Sequence, residues 1–282
     1  MLQDILPHVY HNEFSNKEPA PEDTALVFQN NCVLASEVNG VLTLPTVRQL
    51  QQAIAPSAQS HHLFCIDTAY YYLLLDCPIE PFGPWSYIPS TAYRNLHPQE
   101  LAFACAAAES LHRWLEANRF CGHCGARMEK SRVERALVCP VCHQTVYPKI
   151  CPAVIVAVTD GDRLLLTQYA GRTYQRYALV AGYAEIGEGI EDTVRREVHE
   201  EVGLKVKDLR FYKSQPWVLS DTLLMGFFVR LDGSSEIKLQ EEELALAHWF
   251  QREQIPSDYS GISLTGEMIE LFRQGRDPFS VQ

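Results

Sequence analysis

Four aliphatic residues spaced four apart, Ile190, Val194, Val198 and Val202, set the clearest pattern in the chain. At about 100° per residue they form one apolar stripe, so residues 189–202 predict a helix. Gly189 suits its N-cap, with Asp192 as the acidic partner of a capping box. Gly203 suits the left-handed position just past its end. Apolar runs at 153–158 and 223–229 read as buried strands. Residues 163–167 follow an Asp160-Gly161 turn and read as the second arm of a hairpin. Residues 177–180 lead toward the helix as a strand, 248–250 form a short strand, and a last helix is expected over 263–275. Sheet and helices together predict an α/β/α sandwich over residues 149–282.

The first part of the chain reads differently. Residues 63–66 and 70–75 are strand-like, the second run apolar enough to be buried. Residues 78–98 are rich in proline and aromatics and read as a loop. An Ala-rich helix with proline at its first turn is expected from Pro98 to about Asn118. These signals predict a separate α+β domain over residues 1–118, and hence a multidomain α+β protein. Tyr70, Tyr71 and Tyr72 are read as packing, and no internal repeat is visible.

The helix at 189–202 carries more than an apolar face. On the same wheel Glu201 falls inside the stripe, Glu197 lies at its edge and Glu200 projects further round. Buried carboxylates need a positive partner, because an uncompensated charge is costly there. Glu197, Glu200 and Glu201 stand at i, i+3 and i+4, so they are expected to converge. Such hard oxygen donors suit Mg²⁺ or Mn²⁺. Arg196 is expected to pair with an acidic neighbour such as Glu188 and so hold the preceding loop to the helix; a solvated i,i+4 partner to Glu200 is the alternative. Glu243, in the acidic run 241–243, is a candidate further ligand or base; a solvated patch is the alternative.

Composition and charge narrow the picture. The 282 residues suffice for two domains with sizeable cores. A formal charge of −11 argues against bulk nucleic-acid binding, though not against a local basic patch. No apolar run approaches a membrane span, and the first residues lack a secretory pattern. Nine cysteines are an odd number, and Cys121, Cys124, Cys139 and Cys142 form two Cys-x-x-Cys pairs. This spacing predicts a zinc ribbon over residues 119–148, with four thiolates around a structural Zn²⁺. Such cysteine usage fits a reducing cytoplasm. Arg119, Arg127, Lys130, Arg132 and Arg135 make the ribbon locally basic, suiting either a solvated hairpin or contact with RNA.

The segment 182–204 reads Gly182, Glu188, Arg196-Glu197-Val198, Glu200-Glu201, Gly203-Leu204 at fixed spacings. It matches the Nudix box at every defined position. Ser214-Gln215-Pro216-Trp217 follows, and the ribbon precedes. In this order the three signals resemble the bacterial NADH pyrophosphatase (NudC-type) family of Nudix hydrolases over roughly residues 115–275. The resemblance implies hydrolysis of NADH or NAD⁺ to AMP and a nicotinamide mononucleotide, and removal of NAD caps from RNA. It implies catalytic metal on Glu197, Glu200, Glu201, Glu243 and the carbonyl of Ala181. It also implies a substrate segment from Gln215 through Pro216, Trp217, Val218, Leu219, Ser220 and Asp221 to Thr222. Tyr147 and Tyr183 align with an aromatic pair that sandwiches the nicotinamide from two subunits, implying a homodimer. Arg94 and Thr265 align with further substrate contacts. Val218-Leu219-Ser220 replace the Pro-Phe-Pro usual in the family, which softens the segment and removes an aromatic wall. Two alternatives follow: a broader hydrolase of ADP-ribose or FAD-like diphosphates, or an RNA-binding ribbon protein with a vestigial Nudix domain.

Overall fold

A computed structural model describes residues 1–170, 176–240, 244–257 and 263–279. The chain divides into an N-terminal unit, Leu2–Lys149 with Val218–Asp221, and a C-terminal unit, Met1, Ile150–Trp217 and Thr222–Gln282. No helix among the described residues is long and apolar enough to cross a membrane.

The N-terminal unit begins with strands β1 (Tyr10–His11), β2 (Thr24–Leu26), β3 (Phe28–Gln29), β4 (Cys32–Val38) and β5 (Val41–Thr43). Helix α1 (Val47–Leu50) follows, then β6 (Gln59–Ile66), β7 (Ala69–Leu75), β8 (Ser86–Pro89) and helix α2 (Gln99–Ala117). One sheet runs β1-β6-β7-β2; a second runs β3-β4-β5, with β8 added to β4. β6 and β7 are longer than the apolar runs suggest, and Asp67 turns between them with φ of 53°. The proline-rich segment is not all loop. Residues 86–89 pair with β4, and Ser90–Asn95 form a 3₁₀ turn that buries Tyr93. Edge pairing tolerates Pro89, because an edge strand leaves one row of backbone groups unused. The Ala-rich middle of α2 is buried from Ala102 to Glu109, where small side chains allow close packing. Tyr71 and Tyr72 are core residues.

The same unit holds the ribbon strands β9 (Glu129–Lys130), β10 (Leu137–Val138) and β11 (Thr145–Val146), in order β11-β10-β9. Arg135 ties this hairpin to the strands before it, donating to Asn12 Oδ1 at 2.6 Å and to the Leu63 carbonyl. Asn16 donates to the Arg132 carbonyl at 2.6 Å.

The C-terminal unit comprises β12 (Cys151–Asp160), β13 (Arg163–Tyr169), β14 (Val180–Tyr183), α3 (Ile190–Val202), β15 (Val206–Trp217), β16 (Thr222–Leu231), β17 (Leu244–Gln251) and α4 (Leu264–Arg273). Its sheet runs β15-β16-β12-β13-β17, with β14 paired to β12. β12 and β16 are parallel, and both are buried through their middles, as the unbroken apolar runs require. Two cores result. Val154, Val156 and Val158 pack with Val194, Val198 and Val202 of α3, while Ile155 and Ala157 pack with Leu264, Met268 and Phe272 of α4. Alternate residues of one strand therefore serve opposite layers. Gly226 lets α4 approach β16, since a Cβ there would lie 2.7 Å from Met268 Sδ.

Three details differ from the sequence reading or go beyond it. The strand expected at 177–180 lies at Val180–Tyr183. β15 went unread, because bulges between Lys207 and Arg210 and between Phe211 and Lys213 interrupt its alternation. The Gln215–Trp217 part of the expected substrate segment ends this strand, so only Val218–Asp221 turns back to β16.

Candidate active site on helix α3

Helix α3 presents its carboxylates as the wheel placed them. Glu201 is 1% exposed, Glu197 is 8% exposed, and Glu200 faces solvent. The helix starts at Gly189 without a side-chain cap, and Asp192 pairs with Arg195 at 3.0 Å rather than closing a capping box. A charged partner one turn along outcompetes a glycine that offers only backbone. At the other end Gly203 is left-handed, with φ of 71°, and donates to the His199 carbonyl.

Arg196 organises the carboxylate edge. Its Nε and Nη2 grip both oxygens of Glu188 at 2.6 and 2.9 Å. Its Nη1 reaches Glu197 at 2.6 Å and Glu200 at 2.9 Å, and Nη2 also donates to the Tyr183 carbonyl at 2.8 Å. A guanidinium has five N–H donors, and these contacts supply five. Glu188 further accepts from Thr193 Oγ1 at 2.9 Å and from the Glu185 backbone N–H at 3.1 Å. The Arg196 fork, helped by these donors, holds the Glu188 carboxyl down at about 2 and pushes the Arg196 guanidinium up. The loop between β14 and α3 is thus locked to the helix by one ionic clasp.

Gly182, on β14, makes room for Glu197. A Cβ at this position would stand 2.0 Å from Glu197 Cδ and 2.2 Å from both carboxylate oxygens. Only glycine lets a carboxylate lie this close to the strand. Ala181 precedes it, half-buried and paired with Ile155 of β12.

The three box glutamates do not close into a compact ligand cluster. Among the described residues, the four ribbon cysteines are the only set of three or more metal-ligating side chains whose ligand atoms all approach within 4.8 Å. Arg196 Nη1 spans Glu197 and Glu200, because like charges that near one another need a cation between them. The residues still fit a divalent ion by their chemistry: hard oxygens on one helix edge, one of them seated against a glycine cradle. Glu243 lies outside the described residues.

The remaining candidates each have their own local surroundings. Tyr183 is half exposed, its hydroxyl 3.3 Å from Thr222 Oγ1. Tyr147, in the other unit, is similarly exposed and donates to Glu134 at 3.1 Å. Gln215 is fully buried, and its amide oxygen accepts from Leu264 N–H at 2.7 Å. It therefore caps α4, alongside Ser263, which accepts from Gly266 N–H. Pro216 is exposed and Trp217 half-buried. Val218 and Leu219 pack against the core of the N-terminal unit, Ser220 is exposed, and Asp221 binds Arg113 and Ser110 of α2. Arg94 is exposed on the 3₁₀ turn, and Thr265 sits in the first turn of α4.

The ribbon is a second, separate centre. Cys121 and Cys142 sulfurs lie 3.5 Å apart, and those of Cys124 and Cys139 lie 3.4 Å apart. Backbone N–H groups aim at the sulfurs, from His123 to Cys121 at 3.4 Å and from Cys142 to Cys139 at 3.5 Å. Such donors pull the Cys139 thiol down to about 6 and lower that of Cys121. Gly125 and His143 close the two knuckles in matching left-handed conformations, with φ of 73° and 62°. Four converging sulfurs with N–H support fit structural zinc. Much of the ribbon's basic charge is already spent: Arg119 pairs with Glu116 at 2.6 Å and Asp76 at 2.8 Å, and Arg127 approaches Asp76 at 3.7 Å.

Comparison with known proteins agrees with both centres. Residues 149–272 match the NUDIX domain, and residues 116–147 match the NADH pyrophosphatase zinc ribbon domain. A protein of Actinobacillus succinogenes named NAD-capped RNA hydrolase NudC is 41% identical over 58% of this chain and 65% of its own length. One of the same name from Pectobacterium carotovorum is 40% identical over 52% of this chain and 56% of its own length. The chain thus spans less than two thirds of these two relatives. A third, from Pseudomonas aeruginosa, is 37% identical over 72% of both chains. With a Nudix domain, this ribbon and a relative matched over most of its length, the chain belongs to the NudC family of Nudix hydrolases.

Proposed function

We propose that this protein hydrolyses the diphosphate of NADH and NAD⁺ to AMP and nicotinamide mononucleotide, and removes NAD caps from RNA. The observation that carries the reading is the carboxylate edge of α3, with Glu197 against Gly182 and Glu188 locked by Arg196, in a chain that also bears the NADH pyrophosphatase ribbon. Mg²⁺ or Mn²⁺ would be held by Glu197, Glu200, Glu201, the Ala181 carbonyl and Glu243. When bound, such ions lower the pKa of water and stabilise charge on phosphate oxygens. The protein's own residues supply position. Arg196 orients Glu197 and Glu200 and offsets their mutual repulsion, and Glu188 fixes the loop that carries the box toward the helix. Tyr147 and Tyr183 offer exposed rings on which a flat base can stack, one from each copy of a homodimer. Arg94, Pro216, Trp217 and Thr265 complete the substrate contacts in this reading, with Gln215 acting through its cap on α4. Nine free cysteines, four of them in a thiolate cage, favour the cytoplasm.

The test is a panel of NADH, NAD⁺, ADP-ribose and NAD-capped RNA with Mn²⁺ or Mg²⁺, followed by chromatography for AMP and by cap analysis. NADH is expected to yield AMP, and Glu200→Gln to lose about 10²–10³-fold of that rate. Intact NADH beside rapid ADP-ribose cleavage would favour the broader diphosphate hydrolase, which the uncommon Val218-Leu219-Ser220 segment already suggests.

A further inference from the structure

The hairpin between β15 and β16 has an unusual allegiance. Its strands belong to the C-terminal unit, yet its turn, Val218–Asp221, belongs to the N-terminal unit. Three contacts from α2 account for this. Arg113 Nη2 donates to Asp221 Oδ1 at 2.5 Å and to the Val218 carbonyl at 2.8 Å. Ser110 Oγ donates to the same Asp221 oxygen at 2.6 Å. Val218 and Leu219 add apolar contact with the core around α2. The clamp is braced from behind. Glu109, 3% exposed, lies one turn before Arg113, with their charged atoms 3.8 Å apart. Burial pushes the Glu109 carboxyl up, and Arg113 opposes that push. Arg113 therefore sits between a buried acid on its own helix and an acid on the turn. A guanidinium so placed has a definite orientation, unlike a surface cation on a flexible stem.

We propose that Arg113, with Ser110, is a positioning residue that sets the conformation of the Val218–Asp221 turn and thereby the capture of the nucleotide substrate. The consequence for substrate rests on the function proposed above; the clamp itself does not. Thr222, the next residue, is the one that meets the Tyr183 hydroxyl, so the chain leaves the clamp directly into that contact. Asp221 accordingly serves as the turn's anchor to α2 rather than as a ligand for substrate.

Two measurements on the full chain decide the matter. Hydrogen exchange of the amides at 218–222 is compared in the wild type, Arg113→Met, Asp221→Asn and Arg113→Lys, and NADH kinetics are run on the same four proteins. Arg113→Met is expected to speed exchange at the turn and raise KM about tenfold while kcat changes less, the size expected for losing a charge-assisted hydrogen bond. Arg113→Lys should recover part of both. Asp221→Asn leaves the Glu109–Arg113 pair in place and should reproduce both effects, which separates the clamp from a folding defect in α2. Unchanged exchange in both Arg113→Met and Asp221→Asn would overturn the clamp. Faster exchange with unchanged KM would overturn its role in substrate capture. A wild type inert toward NADH would sink the function proposed above, and the exchange data would still decide whether Arg113 orders the turn.

Discussion

The ribbon and the α3 edge both gather metal-type ligands, and they do so in opposite ways. Four cysteine sulfurs come together within 4.8 Å, supported by backbone N–H groups. The α3 carboxylates stay apart, and Arg196 Nη1 spans two of them. In each close sulfur pair one thiol is lowered and its partner raised, so a thiolate can accept from a thiol, whereas carboxylates carry charge at neutral pH and repel. A closed cage suits a permanent structural ion, whereas an open carboxylate edge leaves positions for other ligands. The contrast suggests that rigidity is built into the ribbon's ligands but, at α3, into what surrounds them: Gly182, Glu188 and Thr193.

Four experiments sharpen or break this contrast. The largest effect is expected from Gly182→Ala. Its Cβ would displace the Glu197 carboxylate, and a shift of about 1 Å in such a group costs on the order of 10²-fold in rate. Wild-type turnover in that variant would show that the seat of Glu197 is irrelevant. Next, Cys139→Ser or chelation should lower the melting temperature of the N-terminal unit and release about one zinc per chain, while leaving the C-terminal fold intact by circular dichroism. Unchanged melting would mean the cage is not structural.

A smaller effect concerns acid. The Glu188 carboxyl sits below its ordinary value of 4.5, so the clasp's stabilising contribution is fully present above that pH and is lost only as pH falls toward about 2. Between pH 8 and 5 the Arg196 side-chain signals in NMR spectra should stay constant; titration near neutrality would refute the clasp. Smallest is His143→Gly. The left-handed knuckle position costs a side-chain residue about 1–2 kcal/mol, partly offset by the extra backbone entropy of glycine. The variant should melt slightly higher, and a lower melting point would show that the His143 ring contributes more than its strained backbone costs.

The difference between the regions also explains what could be read from sequence. The α3 stripe, the burial of Glu201 and the Glu188–Arg196 pair follow from local spacing, and each is visible in the residue order. The cysteine pairs are equally local. Gln215 is not, because its task is to cap a helix whose first N–H lies at Leu264. Nothing near Gln215 in the chain announces that partner. β15 escaped notice because two bulges break its alternation, and β8 because proline and aromatic residues mask an edge strand. The joint pairing of Glu197 and Glu200 with Arg196 was hidden for another reason. Helical spacing fixes Cβ positions but not the reach of an arginine next to them, and Arg196 intervened.

The crossed membership of the two units has a consequence for synthesis. Met1 packs with Met268 and Phe272 in the C-terminal unit, and Val218–Asp221 complete the N-terminal one. On a ribosome, Met1 must wait for α4 before it meets these partners. The N-terminal unit, though its ribbon is finished by Lys149, lacks Asp221, the second anion for Arg113, until the β15–β16 turn emerges. The N-terminal unit therefore cannot reach its final form by the time its main stretch has been translated. The late docking of that turn joins two otherwise sequential folding events into one.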